Sequence, residues 1–116
     1  MNVPRGTIVW LEPDPTPTVG HEQAGRRPAV IVSDEQIINS LRFSMMAAVP
    51  LTTTPGLPGF YPLLRARPGG PNRDSTALPD QIRSVDKKRV AGRIGIVSTS
   101  ELAAVDASVR LFLKLP

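Results

Sequence analysis

Short apolar runs rich in β-branched residues alternate along this chain with clusters of proline and glycine, a pattern that predicts strands joined by turns. The clusters fall at residues 13–20, 55–62 and 68–72. Between and beyond them, candidate strands cover Thr7 to Leu11, Ala29 to Ser33, Ser44 to Leu51, Tyr61 to Leu64, Ser75 to Ala77, Gln81 to Val85 and Ile94 to Ser98. Several are continuous apolar runs, the pattern of strands buried on both faces or of a tightly curled sheet. The period changes at the C-terminus. There Leu102, Val105, Val109 and Phe112 recur at helical spacing, and Ser98 with Glu101 makes a capping-box start, so a short amphipathic helix should close the fold. Asp34 to Asn39 and Asp86 to Val90 carry briefer signals of helical turns. With no internal repeat and no interdomain linker, residues 1–116 read as one small domain, mainly β with helices.

Composition sharpens that picture. The 116 residues, 41% of them hydrophobic, suffice for one modest core. Lys and Arg number 14 against 10 Asp and Glu, a formal charge of +4. Only Lys87, Lys88 and Lys114 are lysines, so arginine carries most of the positive charge, and arginine binds phosphate through two parallel hydrogen bonds. Polyanionic partners are therefore favoured. The absence of cysteine excludes a disulfide framework, a thiol nucleophile and a Cys-based zinc site. No apolar run approaches the ~20 residues of a membrane span, and residues 1–6 lack the apolar core of a signal peptide. A cytoplasmic protein without membrane association is expected.

The candidate chemistry concentrates in Glu22-Gln23-Ala24-Gly25-Arg26-Arg27-Pro28, which runs directly into the apolar stretch Ala29 to Val32. A carboxylate, an amide and two guanidinium groups on a turn that feeds a buried strand suit the holding of a phosphate at a rigid edge. His21, the only histidine, lies just before it and has a side chain suited to proton transfer. Thr52 follows the apolar run Ala47 to Pro50, so its hydroxyl should emerge at a strand end.

Five segments together resemble the MazF/PemK (Kid) family of toxin endoribonucleases. They are Arg5 to Trp10, Gly20 to Pro28, Val49 to Thr53, Asp80 to Lys87 and the entry to the last helix, Gly95 to Leu102, and they occur in family order. The resemblance implies an SH3-like β-barrel of the CcdB/MazF/PemK kind, a homodimer, and metal-independent, cofactor-free cleavage of single-stranded RNA. It also implies neutralisation by a cognate antitoxin, expected to be an acidic tail that orders on the basic groove.

RNA carries its own nucleophile, the 2′-hydroxyl, so an enzyme need only remove its proton, stabilise the pentavalent phosphorane and protonate the leaving 5′-oxygen. The arginine immediately before proline is the family's catalytic arginine, which falls on Arg27; its plain alternative is an ion pair with Glu22. The family's catalytic threonine falls on Thr52. Arginine is a poor base, its pKa lying above ~12. One branch of the family shares Gly-His-Glu-Gln and assigns an aspartate base that aligns with Asp80, while its arginine acid falls on Leu78 here. The base therefore stays open between His21, Asp80 and Arg27 itself. Glu22, Gln23, Arg26, Thr53, Phe60, Gln81 and Arg83 are candidate RNA contacts: Gln81 as a reader of base edges, Phe60 or Tyr61 as a stacking surface. Arg26 alternatively is solvated, and structural ion pairs are the leading account of Arg83, Asp86, Lys87 and Arg89. Trp10 and Phe112 are expected in the core, and Met45-Met46 and the last helix are candidate dimer surfaces. The alternatives to an RNA-cleaving toxin are a CcdB-like gyrase-binding toxin and a non-catalytic RNA-binding module.

Overall fold

The β-branched runs become strands of one antiparallel sheet, as seen in a computed structural model that describes residues 2–13 and 25–116. The strands are β1 (Thr7–Leu11), β2 (Arg27–Ile31), β3 (Met45–Thr52), β4 (Leu63–Leu64), β5 (Ser75–Ala77), β6 (Arg83–Asp86) and β7 (Val90–Ile96). Helices are α1 (Glu35–Ile38) and α2 (Thr99–Leu113). Strand order is β4-β5-β3-β2-β1-β7, and β6 also pairs with β3. One edge of β3 thus meets β2, with Ala48 opposite Ile31, and its other edge meets β6 and then β5, with Ala48 opposite Arg83 and Leu51 opposite Ala77. The chain passes from β6 through a 3-10 turn, Lys87–Arg89, straight into β7, which pairs with β1. That connection curls the sheet into the expected SH3-like barrel, held further by the Glu12 N–H donating to the Arg89 carbonyl at 2.7 Å.

Burial on both faces explains the unbroken apolar runs. On one face Val9, Leu11, Ala29, Ile31, Met46, Ala48 and Val85 pack with Val3 and Ile38; on the other, Ile8, Val30, Val49, Leu51, Leu64 and Ala77 pack under Val105 of α2. Alternate residues of β1 to β3 therefore serve different cores. The capping box forms as read: Ser98 Oγ accepts from the Glu101 N–H at 3.1 Å and the Glu101 carboxylate accepts from the Ser98 N–H at 2.8 Å. Asp34 caps α1 and Asp86 caps the 3-10 turn after β6. Where β7 leaves the barrel, a Cβ on Gly95 would sit 2.5 Å from the Gly70 carbonyl oxygen and 2.6 Å from that of Gly69, so only glycine fits there.

Several boundaries differ from expectation for local reasons. The second strand starts at Arg27 because Arg27 and Pro28 already pair with Leu11 and Trp10 of β1. The fourth shrinks to Leu63–Leu64, since the Tyr61 N–H turns back to the Pro58 carbonyl. The sixth begins at Arg83 because Pro79–Gln81 form a 3-10 turn. The last begins at Val90, extended by its pairing with β1. Phe112 is not in the core: it is 38% exposed and packs on the rings of Phe60 and Tyr61. Trp10 is only half-buried. Among the described residues, no helix is long and apolar enough to cross a membrane.

Candidate active site

Strand register decides what meets at the C-terminal end of β3. Ala29 of β2 stands opposite Pro50 of β3, and the same register carried two residues further sets Arg27 level with Thr52. Side chains alternate along a strand, so Arg27 shares the face of Ala29 and Ile31, and Thr52 that of Met46 and Ala48, which is the same sheet face. On the other side of β3, the Leu78 N–H donates to the Pro50 carbonyl at 2.9 Å and the chain then turns through Pro79–Gln81, carrying Asp80. Pro50 thereby ties together the segments that bear Arg27, Thr52 and Asp80.

The three groups have different surroundings. Arg27 is exposed, and its guanidinium has no side-chain partner among the described residues. The Thr52 hydroxyl is half-buried; it donates to Thr54 Oγ1 at 3.0 Å and accepts from the Thr54 N–H at 3.2 Å, which fixes its direction at the strand end. Asp80 is exposed and accepts from the Tyr61 hydroxyl at 3.2 Å. The Tyr61 phenol is pushed above its ordinary pKa by desolvation first, and then by the hydrogen bond to Asp80 and the negative charge there. Its ring lies 4.8 Å from Phe60 and 5.8 Å from Phe112, centroid to centroid, so a patch of three aromatic rings adjoins the Asp80 carboxylate. Phe60 is 51% exposed on that patch. The sequence had offered Tyr61 only as a stacking surface, and its link to Asp80 depends on a contact 19 positions apart that no local pattern announces.

The remaining candidates divide. Thr53 and Gln81 are exposed next to Thr52 and Asp80, and Arg83 is exposed on β6 opposite Ala48. Arg26 is largely exposed, and its Nε is bound to the Glu12 carboxylate at 3.0 Å. His21, Glu22 and Gln23 lie outside the described residues, as does the Glu22 partner considered for Arg27. The charged run after Arg83 serves the backbone where ion pairs were expected. Arg89 donates to the Glu12 carbonyl, Lys87 Nζ donates to the carbonyls of Ile37 and Ser40 at 2.6 and 2.8 Å, and Asp86 accepts from the Lys88 N–H. Among the described residues no group of three or more His, Asp or Glu side chains is placed to hold a metal ion. Chemically, the strand end offers a guanidinium fork, an oriented hydroxyl and a carboxylate, a set suited to gripping an anion and moving a proton beside it.

Comparison with known proteins points one way. The family model of PemK-like, MazF-like toxins of type II toxin-antitoxin systems matches residues 4–113. The endoribonuclease toxin MazF of Escherichia coli (strain K12) is 36% identical over 110 residues, which cover 93% of this chain and 91% of that protein. Among solved structures, MazF from Deinococcus radiodurans is 30% identical, covers 98% of each chain and superposes with a TM-score of 0.77. A MazE-MazF structure from the same organism gives 0.79 at 30% identity, covering 100% of this chain and 99% of that one.

Proposed function

The chain belongs to the PemK-like, MazF-like family of type II toxin-antitoxin toxins, and from that premise we propose that the end of β3 is where it cleaves single-stranded RNA. Family membership makes it an endoribonuclease toxin that acts without a metal ion and is neutralised by an antitoxin. The observation that carries the site is the register: Ala29 pairs with Pro50, and carrying that register two residues on brings Arg27, with no side-chain partner among the described residues, towards Thr52.

The proposed reaction is a transesterification. The 2′-hydroxyl oxygen attacks the adjacent phosphorus, the bond to the 5′-oxygen breaks, and the products are a 2′,3′-cyclic phosphate and a 5′-hydroxyl. Arg27 faces the negative charge that grows on the phosphorane and strengthens its two hydrogen bonds as that charge develops. Thr52 donates to a nonbridging oxygen by turning its hydroxyl hydrogen away from Thr54. Asp80 or His21 takes the 2′-hydroxyl proton, and the leaving 5′-oxygen, assisted by Arg27, takes up a proton from solvent to become the 5′-hydroxyl. Tyr61 holds the Asp80 carboxylate, and Phe60 presents a ring face for a base. Thr53, Gln81 and Arg83 border the path of the strand.

The partners follow from charge and exposure. A net charge of +4 supports an acidic antitoxin segment on the same groove. Leu111 and Leu113, 66% and 50% exposed at the end of α2, support pairing with a second copy of the chain.

The decisive experiment incubates the purified protein with mixed RNA in EDTA and reads product ends. Cyclic phosphate ends that disappear with Arg27→Ala are expected. Tight RNA binding with no cleavage of any RNA would instead favour a silent binding module, and cleavage that survives Arg27→Ala would remove Arg27 from the chemistry.

A further inference from the structure

A cleft of about 510 Å³ opens where the end of β1 meets β6 and the turn Lys87–Arg89, and neither Arg27, Thr52 nor Asp80 lines it. Its walls sort by chemistry. Pro13 and Met45, the latter 43% exposed, offer apolar surface; Ser84 and Asp86 offer a hydroxyl and a carboxylate; Lys88 offers a cation. The cleft is joined to the rim from two directions. Arg83 stands opposite Ala48 on the strand that ends in Thr52, about 13 Å further along. Glu12, also in the cleft wall, is bound to Arg26, the neighbour of Arg27. Met45 and Asp86 stand opposite each other seven residues before Thr52, about 23 Å along β3, so a strand whose scissile phosphate sits at Arg27 and Thr52 reaches this cleft with a nucleotide a few positions from the cut.

We infer that the cleft holds one unpaired nucleotide a few positions from the cut and selects its base. This rests on the RNA-cleaving reading and adds a specificity pocket to it. The Asp86 Oδ1 atom accepts from the Lys88 N–H at 2.9 Å, which orients the carboxylate and leaves Oδ2 to accept from a base. A carboxylate acceptor favours bases with amino donors, adenine, cytosine or guanine, over uracil, whose single N3–H donor is flanked by two carbonyl oxygens that repel a carboxylate. The Met45 thioether packs on the base face, and Lys88 meets the adjoining phosphate. An acidic peptide fits this lining less well, because it would bring carboxylates against Asp86 and Glu12.

The test separates this pocket from the cleavage reading. Protein carrying 13C-methyl methionine is titrated with a pool of random, fully 2′-O-methylated RNA oligonucleotides, which bind but cannot be cut through a 2′-hydroxyl. The Met45 methyl signal should shift, while that of Met46, only 2% exposed, stays in place as the internal control. Lys88→Ala should weaken binding about three- to fivefold and lower the slope of log affinity against log salt by about 0.7. Asp86→Asn retains the turn cap and should relax discrimination against uracil at one position near the cut, read by sequencing the cleaved ends. A stationary Met45 signal, with or without RNA bound, overturns the inference, and so does an unchanged base preference in Asp86→Asn. If Met45 responds to RNA and no RNA is ever cut, the pocket stands and the cleavage reading falls. If RNA is cut while Met45 and the preference are unmoved, the pocket alone falls.

Discussion

At the seam between the sheet and α2 the arginines end on carboxylates; at the rim where β2 begins, Arg27 ends on none among the described residues. Arg5 closes a two-bond fork on Asp106, at 2.8 and 2.5 Å, and its Nε donates to the Val32 carbonyl at 2.8 Å. Arg67 lies 2.8 Å from Glu101, the residue that completes the α2 capping box. A fork whose donors are already matched fixes the position of a helix and has nothing left for a ligand. A fork at the end of a central strand with no partner among the described residues keeps its donors for a phosphate. The residue type is the same in both places, and the partner decides the use.

The comparison breaks first at Arg27. Arg27→Ala should lower RNA cleavage by about 10²–10³-fold, the usual cost of removing one donor that faces transition-state charge, with a stability change within about 0.5 kcal/mol because no side-chain contact among the described residues is lost. Arg27→Lys keeps the charge and loses the fork, so it should recover only part of the rate. Cleavage kinetics and thermal melts on the same preparations check both. A melt lowered together with the rate would move Arg27 to the structural group.

Arg5→Ala is the mirror experiment. It leaves Asp106, with a side chain 23% exposed, and the Val32 carbonyl without their donor, which should cost about 1.5–3 kcal/mol and lower the melting temperature by several degrees. Cleavage at a temperature where the variant is folded should be unchanged. Loss of activity without loss of stability would show that the seam reaches into the chemistry.

How far the sequence disclosed this division follows from the range of the interactions. Ser98 with Glu101 announced the start of α2 because a capping box is local, and Thr7 to Leu11 announced a strand because a β-branched run is local. The Arg5 to Asp106 fork joins residues 101 positions apart, so nothing in the order of residues separated Arg5 from Arg27. The same holds for Tyr61 with Asp80. Phe112 was misplaced because helical spacing says which residues share a face, but not where the face runs past the core. Arg27 and Thr52 were singled out through family resemblance; physical reasoning alone placed each near a strand end and left their meeting to the register.

A pH test sharpens the structural side. Burial alone would raise the Glu101 carboxyl, but hydrogen bonds from Arg67 and from the Ser98 and Arg65 N–H groups, with the Arg67 charge, hold it below its ordinary pKa. The folded state therefore holds the proton less tightly than the unfolded chain, whose carboxyl titrates near about 4.3. The stabilisation is fully present above that pH and is lost as pH falls through the lower folded pKa. Glu101→Gln should cost about 1 kcal/mol at pH 7, and its deficit against the wild type should shrink on acidification. A deficit that stays constant down to the acid transition would mean that the carboxylate charge contributes nothing.

The smallest effect falls on the nearest neighbour of the most important residue. Arg26 precedes Arg27 and has the same side chain, yet it is bound to Glu12 in a pair whose side chains are 59% and 45% exposed. Exposed pairs of this kind contribute about 0–1 kcal/mol, so Arg26→Ala should change stability by less than about 0.5 kcal/mol. Because Glu12 already neutralises the charge, RNA affinity should fall only slightly and the salt dependence of binding should stay close to that of the wild type. Glu12→Gln supplies the counter-test. It frees the Arg26 fork beside the rim, so RNA binding should tighten modestly at low salt and return to the wild-type value as salt rises. If Arg26→Ala instead lowers the rate as far as Arg27→Ala does, the Glu12 pair is broken when RNA binds, and a partner in the free protein no longer decides which arginine is available.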